Sequence, residues 1–332
     1  MPQYVEVIPR ILFKSRKPAP FRVLVISNCQ AEFLAPFFEL ALADCSCDYL
    51  VCYQLSTEEE HNALDQYLEE AKNNYQLIVS LPLGANWRSI GHEALTARFG
   101  RERLFLIPNI YLDALFPDQT GLGDLGTRTM SPMGGPHSKI ALGGWLAGLS
   151  LAEILQLFTP ENAEKLGYLD GLEASEQELR RREANCDTDF TAQLIRVART
   201  SFALYTVNHP TPNLIAHFVN YVANQLRARG QARLSGVPMN AMLASTSLLS
   251  SGVWPIYPEL KALVSDHYPV STTFILPQGA HSEAISREVF VERSIATYER
   301  LGREVIAPLR QAVDCLALIE RVVSPAPSEF VA

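Results

Sequence analysis

The chain has 332 residues, 48% hydrophobic and 19% charged, with 28 Lys plus Arg against 36 Asp plus Glu and a net charge of −8. This apolar share supplies a substantial core and excludes a globally disordered protein. The acidic balance argues against a duplex nucleic-acid binder, and 18 Gly with no long heptad tract exclude collagen-like and coiled-coil classes.

The length suits one large or two medium domains. The first twenty residues lack the apolar core of a signal peptide. The most apolar stretch, Ile140 to Phe158, carries Gly143, Gly144, Gly148, Glu153 and Gln156, which suits a buried helix better than a membrane span. Six Cys (Cys29, Cys45, Cys47, Cys52, Cys186 and Cys315) are too sparse for a disulfide framework, so a reducing, cytoplasmic location is expected.

In chain order, Phe21 to Ile26 is a β-branched run that predicts a strand, and Ala31 to Ala43 a helix with Phe33, Leu34, Phe37, Leu40 and Ala41 on one face. Tyr49 to Gln54 predicts a second strand, with Cys52 inside it. Ser56 and Glu59 have capping-box spacing for a helix to about Asn73. Leu77 to Leu81 and Arg103 to Ile107 predict two more strands around a helix at Ile90 to Phe99. This alternation argues for a parallel sheet with crossover helices. The rhythm breaks after Pro108, and eight of the 18 Gly lie between Gly121 and Gly148, which reads as a binding loop or lid. The remainder predicts helices: one from Lys139 to Phe158, one capped by Asp189, one opened by Thr211-Pro212, and two after Glu283, the last with Val305, Leu309, Val313, Leu316 and Ile319 as its stripe. The expected fold is therefore α/β, with an N-terminal parallel-sheet, Rossmann-like part over residues 1–115, a Gly/Pro-rich loop over 116–138, and a largely α-helical C-terminal part over 139–332 packed on it.

Three turns carry candidate chemistry. Ser27-Asn28-Cys29-Gln30 follows a strand and precedes a helix, where an open α/β sheet binds its ligands. A helix start favours the thiolate of Cys29 and its free N–H groups suit a phosphate or an oxyanion, while Asn28 and Gln30 add amide donors. Asn208-His209-Pro210-Thr211 offers His209 as a general base, oriented by Asn208. His137, Ser138 and Lys139 close the Gly-rich loop before a helix and suit an anionic group. The string Gly121 to Gly126 matches G-x-G-x-x-G but follows no clear strand, so a dinucleotide site is not expected there. The cysteines lack zinc-site spacing, and no metal is expected.

Together these residues resemble the WcbI-type polysaccharide biosynthesis proteins, a family of acetyltransferases of bacterial capsule assembly. The resemblance rests on Ser27 to Gln30, Ile107-Pro108-Asn109, Phe116-Pro117-Asp118, His137-Ser138, Gly148-Leu149-Ser150, Asn208 to Thr211 and Pro255-Ile256-Tyr257-Pro258, in that order from about residue 22 to 265; Ser27 stands where the family commonly has Gly. It implies coenzyme A binding and transfer of an acetyl group from acetyl-CoA to a sugar hydroxyl of a capsule precursor, in peripheral contact with a capsule assembly complex. On that reading Cys29 and His209 are catalytic, Asn28, Gln30 and Asn208 support them, and Ser27, Arg88, His137, Ser138 and Lys139 hold the CoA. Either Cys29 is acylated, or His209 deprotonates the sugar while Cys29 and Asn28 position the thioester. An esterase of SGNH type and a non-catalytic CoA or glycan-precursor binding protein are the alternatives.

Overall fold

A computed structural model describes residues 4–124, 128–245, 252–278 and 281–323. The Leu125-Gly126 end of the G-x-G-x-x-G string lies outside the described residues. The chain forms two compact units: residues 1–110, 178–194 and 210–249 in the first, and 111–177, 195–209 and 250–332 in the second.

The first unit is built on a five-stranded sheet. Helix α1 (Tyr4–Ile11) leads into β1 (Leu12–Phe13), and then come β2 (Phe21–Ser27), α2 (Ala31–Ala41), β3 (Cys45–Val51), α3 (Glu58–Glu70), β4 (Leu77–Ser80), α4 (His92–Phe99) and β5 (Leu104–Leu106). The order across the sheet is β1-β3-β2-β4-β5; β1 is antiparallel and the other four are parallel. Val23 to Ile26 and Leu77 to Val79 are buried throughout, as expected of strands covered on both faces. The one charge in β3, Asp48, is buried but satisfied: it accepts from Ser15 N (2.9 Å), Arg22 Nη2 (2.7 Å) and Tyr75 Oη (2.7 Å).

Two local expectations shift. The second strand starts at Cys45 and stops at Val51, because pairing with β2 runs from Phe21↔Cys45 to Ser27↔Val51; Cys52 to Gln54 form a 3-10 turn beyond it. The capping box of α3 is Thr57 with Glu60, one residue later than Ser56 with Glu59.

The second unit begins with the short antiparallel pair β6 (Gln119–Thr120) and β7 (His137–Ser138). The expected single helix from Lys139 to Phe158 is two, α5 (Lys139–Leu146) and α6 (Leu151–Gln156). Gly148 takes φ 78° between them, and Ser150 with Glu153 starts a new capping box. Next come α7 (Pro160–Lys165), α8 (Gly171–Glu183), α9 (Thr191–Thr200) and the short strands β8 (Leu204–Thr206) and β9 (His209–Pro210). Asp189 does not cap α9; it accepts from Tyr221 Oη (2.8 Å), and Glu183 Oε1 accepts from Thr191 N (2.6 Å) in its place.

The chain then returns to the first unit with α10 (Pro212–Ala228) and α11 (Met239–Ser245). Thr211 caps α10 through Leu214 N (3.4 Å), with Pro212 at the first helical position. The apolar side of α10, including Leu214, Ile215, Phe218 and Val222, is fully buried, and the helix packs against α2. Residues 178–194 join this unit by a different tie: Asp187 accepts from Leu106 N (2.7 Å), Arg101 (2.6 Å) and Arg229 (2.9 Å). A sequence boundary near residue 115 cannot register such returns, which depend on contacts far apart in the chain.

The second unit closes with the antiparallel strands β10 (Thr273–Gln278) and β11 (His281–Ser286) and helices α12 (Arg287–Leu301), α13 (Arg303–Ile306) and α14 (Arg310–Val323). Phe274 stacks on Phe290 (4.0 Å between ring centroids), with Trp254 edge-on to both. The buried face of α14 is Ala312, Cys315 and Ile319, whereas Val305 and Val313, expected on its stripe, are exposed. The cause is close approach to α5: a Cβ on Gly143 would sit 2.3 Å from the Cys315 carbonyl oxygen, so only glycine allows the contact.

Candidate functional site

The connections of the first sheet define its crevice. The chain leaves β2 toward β3 on one side, while β4 leads on to β5 on the other, so the order reverses between the carboxyl ends of β2 and β4. Open α/β sheets bind ligands at such a point. Beyond β2 lies Ser27-Asn28-Cys29-Gln30, and beyond β4 lies the loop that carries Arg88.

The Cys29 turn is held by side chains. Asn28 Oδ1 accepts from Gln30 N (3.0 Å) and from Ser27 Oγ (3.4 Å), and Asn28 Nδ2 donates to Asn109 Oδ1 (3.0 Å). Gln30 is buried and its amide closes a ring with Ile110: Nε2 donates to the Ile110 carbonyl (2.6 Å) and Oε1 accepts from Ile110 N (3.2 Å). The sequence presents Gln30 as an amide donor beside the sulfur; in the fold its amide ties the segment after β5 to the turn. Ser27 is also fully buried and faces Asn28.

Cys29 is a half-buried free thiol. A helix start favours its anion in the sequence reading, and the amides of Cys29 and Gln30 do so here, but burial outweighs them and pushes the pKa up. The Tyr53 hydroxyl offers a hydrogen bond that favours the thiolate, while Glu32 opposes it. Tyr53 stands in the 3-10 turn after β3, and the pairing of Ser27 with Val51 brings the two strand ends side by side. Burial and then the neighbouring Cys29 push the Tyr53 phenol up to about 12, so it stays a donor. Tyr53 is a polar neighbour that the sequence reading missed, and Asn109 enters that reading only within the Ile-Pro-Asn motif, without a role. The available signal was position: each follows the carboxyl end of a parallel strand.

Arg88 has φ 49° and ψ −120°, a left-handed conformation uncommon outside glycine. The loop is tight, since a Cβ on Gly91 would lie 2.8 Å from the Gly84 carbonyl oxygen. The Arg88 guanidinium is half-exposed, with a long 3.9 Å ion pair to Glu58. Such a pair is weak and leaves the charge available to an anion.

The remaining candidates belong to the second unit. His137 is 0% exposed; its Nε2 donates to the Thr129 carbonyl (2.9 Å), so Nδ1 accepts from Tyr298 Oη (3.1 Å), and burial lowers its pKa. Ser138 is buried as the N-cap of α5, accepting from Ala141 N (3.0 Å). Lys139 Nζ donates to the Pro117 carbonyl (2.5 Å). All three side chains, read as CoA ligands, are engaged within the fold.

Ser138 and Lys139 neighbour a further residue. Asp118 is fully buried and accepts from Ile140 N (2.9 Å), Tyr168 Oη (3.2 Å) and Tyr257 Oη (2.9 Å). Burial raises its pKa against these bonds and one from Ser138. The Phe-Pro-Asp, His-Ser and Pro-Ile-Tyr-Pro segments thus meet at one carboxylate. Tyr257 also lies under the guanidinium of Arg287 (4.6 Å), which pairs in bidentate fashion with Glu259 (2.8 Å for both bonds).

Asn208 and His209 lie where β8 turns into β9, and burial lowers the pKa of His209. The turn is anchored by Leu112 N to the Val207 carbonyl (2.8 Å) and by Val207 N to Gln119 Oε1 (3.3 Å). Burial thus favours the neutral imidazole, the form that can act as a base. Among the described residues, no group of three or more His, Cys, Asp or Glu could hold a metal ion, and no helix is long and apolar enough to cross a membrane.

Sheet order and connections define an α/β protein whose parallel strands reverse their order beside the Cys29 turn. A family model described as "Polysaccharide biosynthesis enzyme WcbI" matches residues 22–231, so the chain belongs to the WcbI family of polysaccharide biosynthesis enzymes. No curated protein matches the chain. A solved structure of WcbI, described as a novel polysaccharide biosynthesis enzyme, shares the fold with a TM-score of 0.56 and 17% identity, over 90% of this chain and 98% of that one. That structure is described as native protein without a disulfide bond between CoA and a cysteine.

Proposed function

We propose that this enzyme is a CoA-dependent O-acetyltransferase that moves the acetyl group of acetyl-CoA to a sugar hydroxyl of a capsular or extracellular polysaccharide precursor, working in the cytoplasm alongside the capsule assembly machinery. The observation that carries the reading is the Cys29 turn at the reversal point of the sheet, with Arg88 on the neighbouring strand's loop. The description of the WcbI structure in terms of CoA and a cysteine supports the same ligand. Arg88 is the proposed phosphate contact.

Burial keeps Cys29 largely a thiol at neutral pH, which favours direct transfer over an acylated cysteine. In this reading His209 is the base that takes the proton of the sugar hydroxyl; Cys29 and Asn28 position the thioester, and CoA leaves as the thiol. A thermal-shift titration with CoA tests the ligand: at about 100 times the dissociation constant the gain is roughly 2.7 kcal/mol, and no shift at millimolar CoA refutes it. Incubation with radiolabelled acetyl-CoA and no acceptor, followed by denaturation, tests the route. Label retained on the wild type and lost in Cys29→Ser would overturn direct transfer.

A further inference from the structure

The hydrogen-bond chain at the Cys29 turn fixes the orientation of two amides. A backbone N–H can only donate, so the Asn28 atom 3.0 Å from Gln30 N is its oxygen. The other end of that amide is therefore Nδ2, which can only donate, so the Asn109 atom 3.0 Å from it is Oδ1. Both donors of the Asn109 amide nitrogen are left over, and no partner engages them among the described residues.

Asn109 is also rigidly mounted. Ile107 N donates to the Ser80 carbonyl (2.8 Å), Pro108 restricts the backbone, and the Gln30 amide holds both polar groups of Ile110. A half-buried primary amide, locked by its neighbours and bonded to the residue before Cys29, has the form of a preorganised donor.

We propose that Asn109 donates a hydrogen bond to the carbonyl oxygen of the thioester held at the Cys29 turn. The proposal rests on the acetyl-CoA reading above. In transfer, the sugar oxygen bonds to the carbonyl carbon and its proton passes to the base. The carbonyl π pair moves onto the oxygen, where the Asn109 N–H meets the developing charge. When that pair returns, the C–S bond breaks and the CoA sulfur leaves with the electrons and collects a proton.

The test is calorimetric titration of the full chain with CoA and, separately, with acetyl-CoA. Asn109→Asp keeps an acceptor for Asn28 Nδ2 and removes the donor while adding a charge, and Asn109→Ala removes the donor without one, so both variants are measured. Loss of one hydrogen bond predicts that the preference for acetyl-CoA over CoA falls about threefold to tenfold. Equal weakening of both ligands, or no change in their ratio, assigns Asn109 a purely structural part and overturns the proposal. A wild type that binds neither ligand refutes the CoA reading itself, a distinct result.

Discussion

Removal of the Tyr53 hydroxyl isolates the balance of forces on the Cys29 sulfur. Burial favours the neutral thiol, and the chief effects opposing it are the Cys29 amide first and the Tyr53 hydroxyl second. Tyr53→Phe deletes the second and keeps the ring. A hydrogen bond to a charged group is worth ~1.5–3 kcal/mol when shielded. Tyr53 is 43% exposed, and solvent screening reduces the effect to about 1 kcal/mol. That is a factor of about five in thiolate fraction at a pH below the midpoint. The assay is the rate of iodoacetamide alkylation of Cys29 against pH, followed by peptide mass spectrometry so that the other cysteines do not contribute. The wild type should show a midpoint above the ordinary thiol value of about 8.5, and the variant should react about fivefold more slowly at pH 8. Superimposable profiles would refute the bond from Tyr53, and a wild-type midpoint below the ordinary value would refute the dominance of burial.

Two further outcomes concern the second unit. Tyr257→Phe removes a donor from the fully buried Asp118 carboxylate and should cost about 1–3 kcal/mol, read as a lower urea midpoint; a change under about 0.5 kcal/mol would show that the remaining bonds suffice. Burial holds the His137 pKa below its unfolded value of 6.5, so the unfolded chain takes up the proton first as the pH falls. Its contribution to stability is complete above that value and is lost as pH drops toward the depressed folded one. His137→Gln should therefore be less stable than wild type at pH 7 yet lose less between pH 7 and pH 5 by calorimetry, and a parallel loss in both proteins would contradict this.

The sequence by itself determined the features set by neighbours along the chain. The β-branched runs at Phe21 and Leu77 and the helices between them dictate a parallel sheet, and Thr211-Pro212 dictates a helix start. Ser27 to Gln30, lying between strand and helix, is legible as a ligand turn because the strand-to-helix connection is a local property. Tertiary structure decided what those signals leave free. The extent of β3 follows from its pairing with β2, which put Cys52 and Tyr53 beyond the strand end. The partners of Gln30 and Asn28 lie about 80 residues away, at Ile110 and Asn109, and they turn one amide donor into a clamp and leave another amide unengaged. Burial reversed the pKa direction expected for Cys29 and enclosed His137 and Ser138, which a helix-start pattern presents as ligands. Desolvation and side-chain pairing depend on which distant segments pack over a residue, and local propensity carries no record of them.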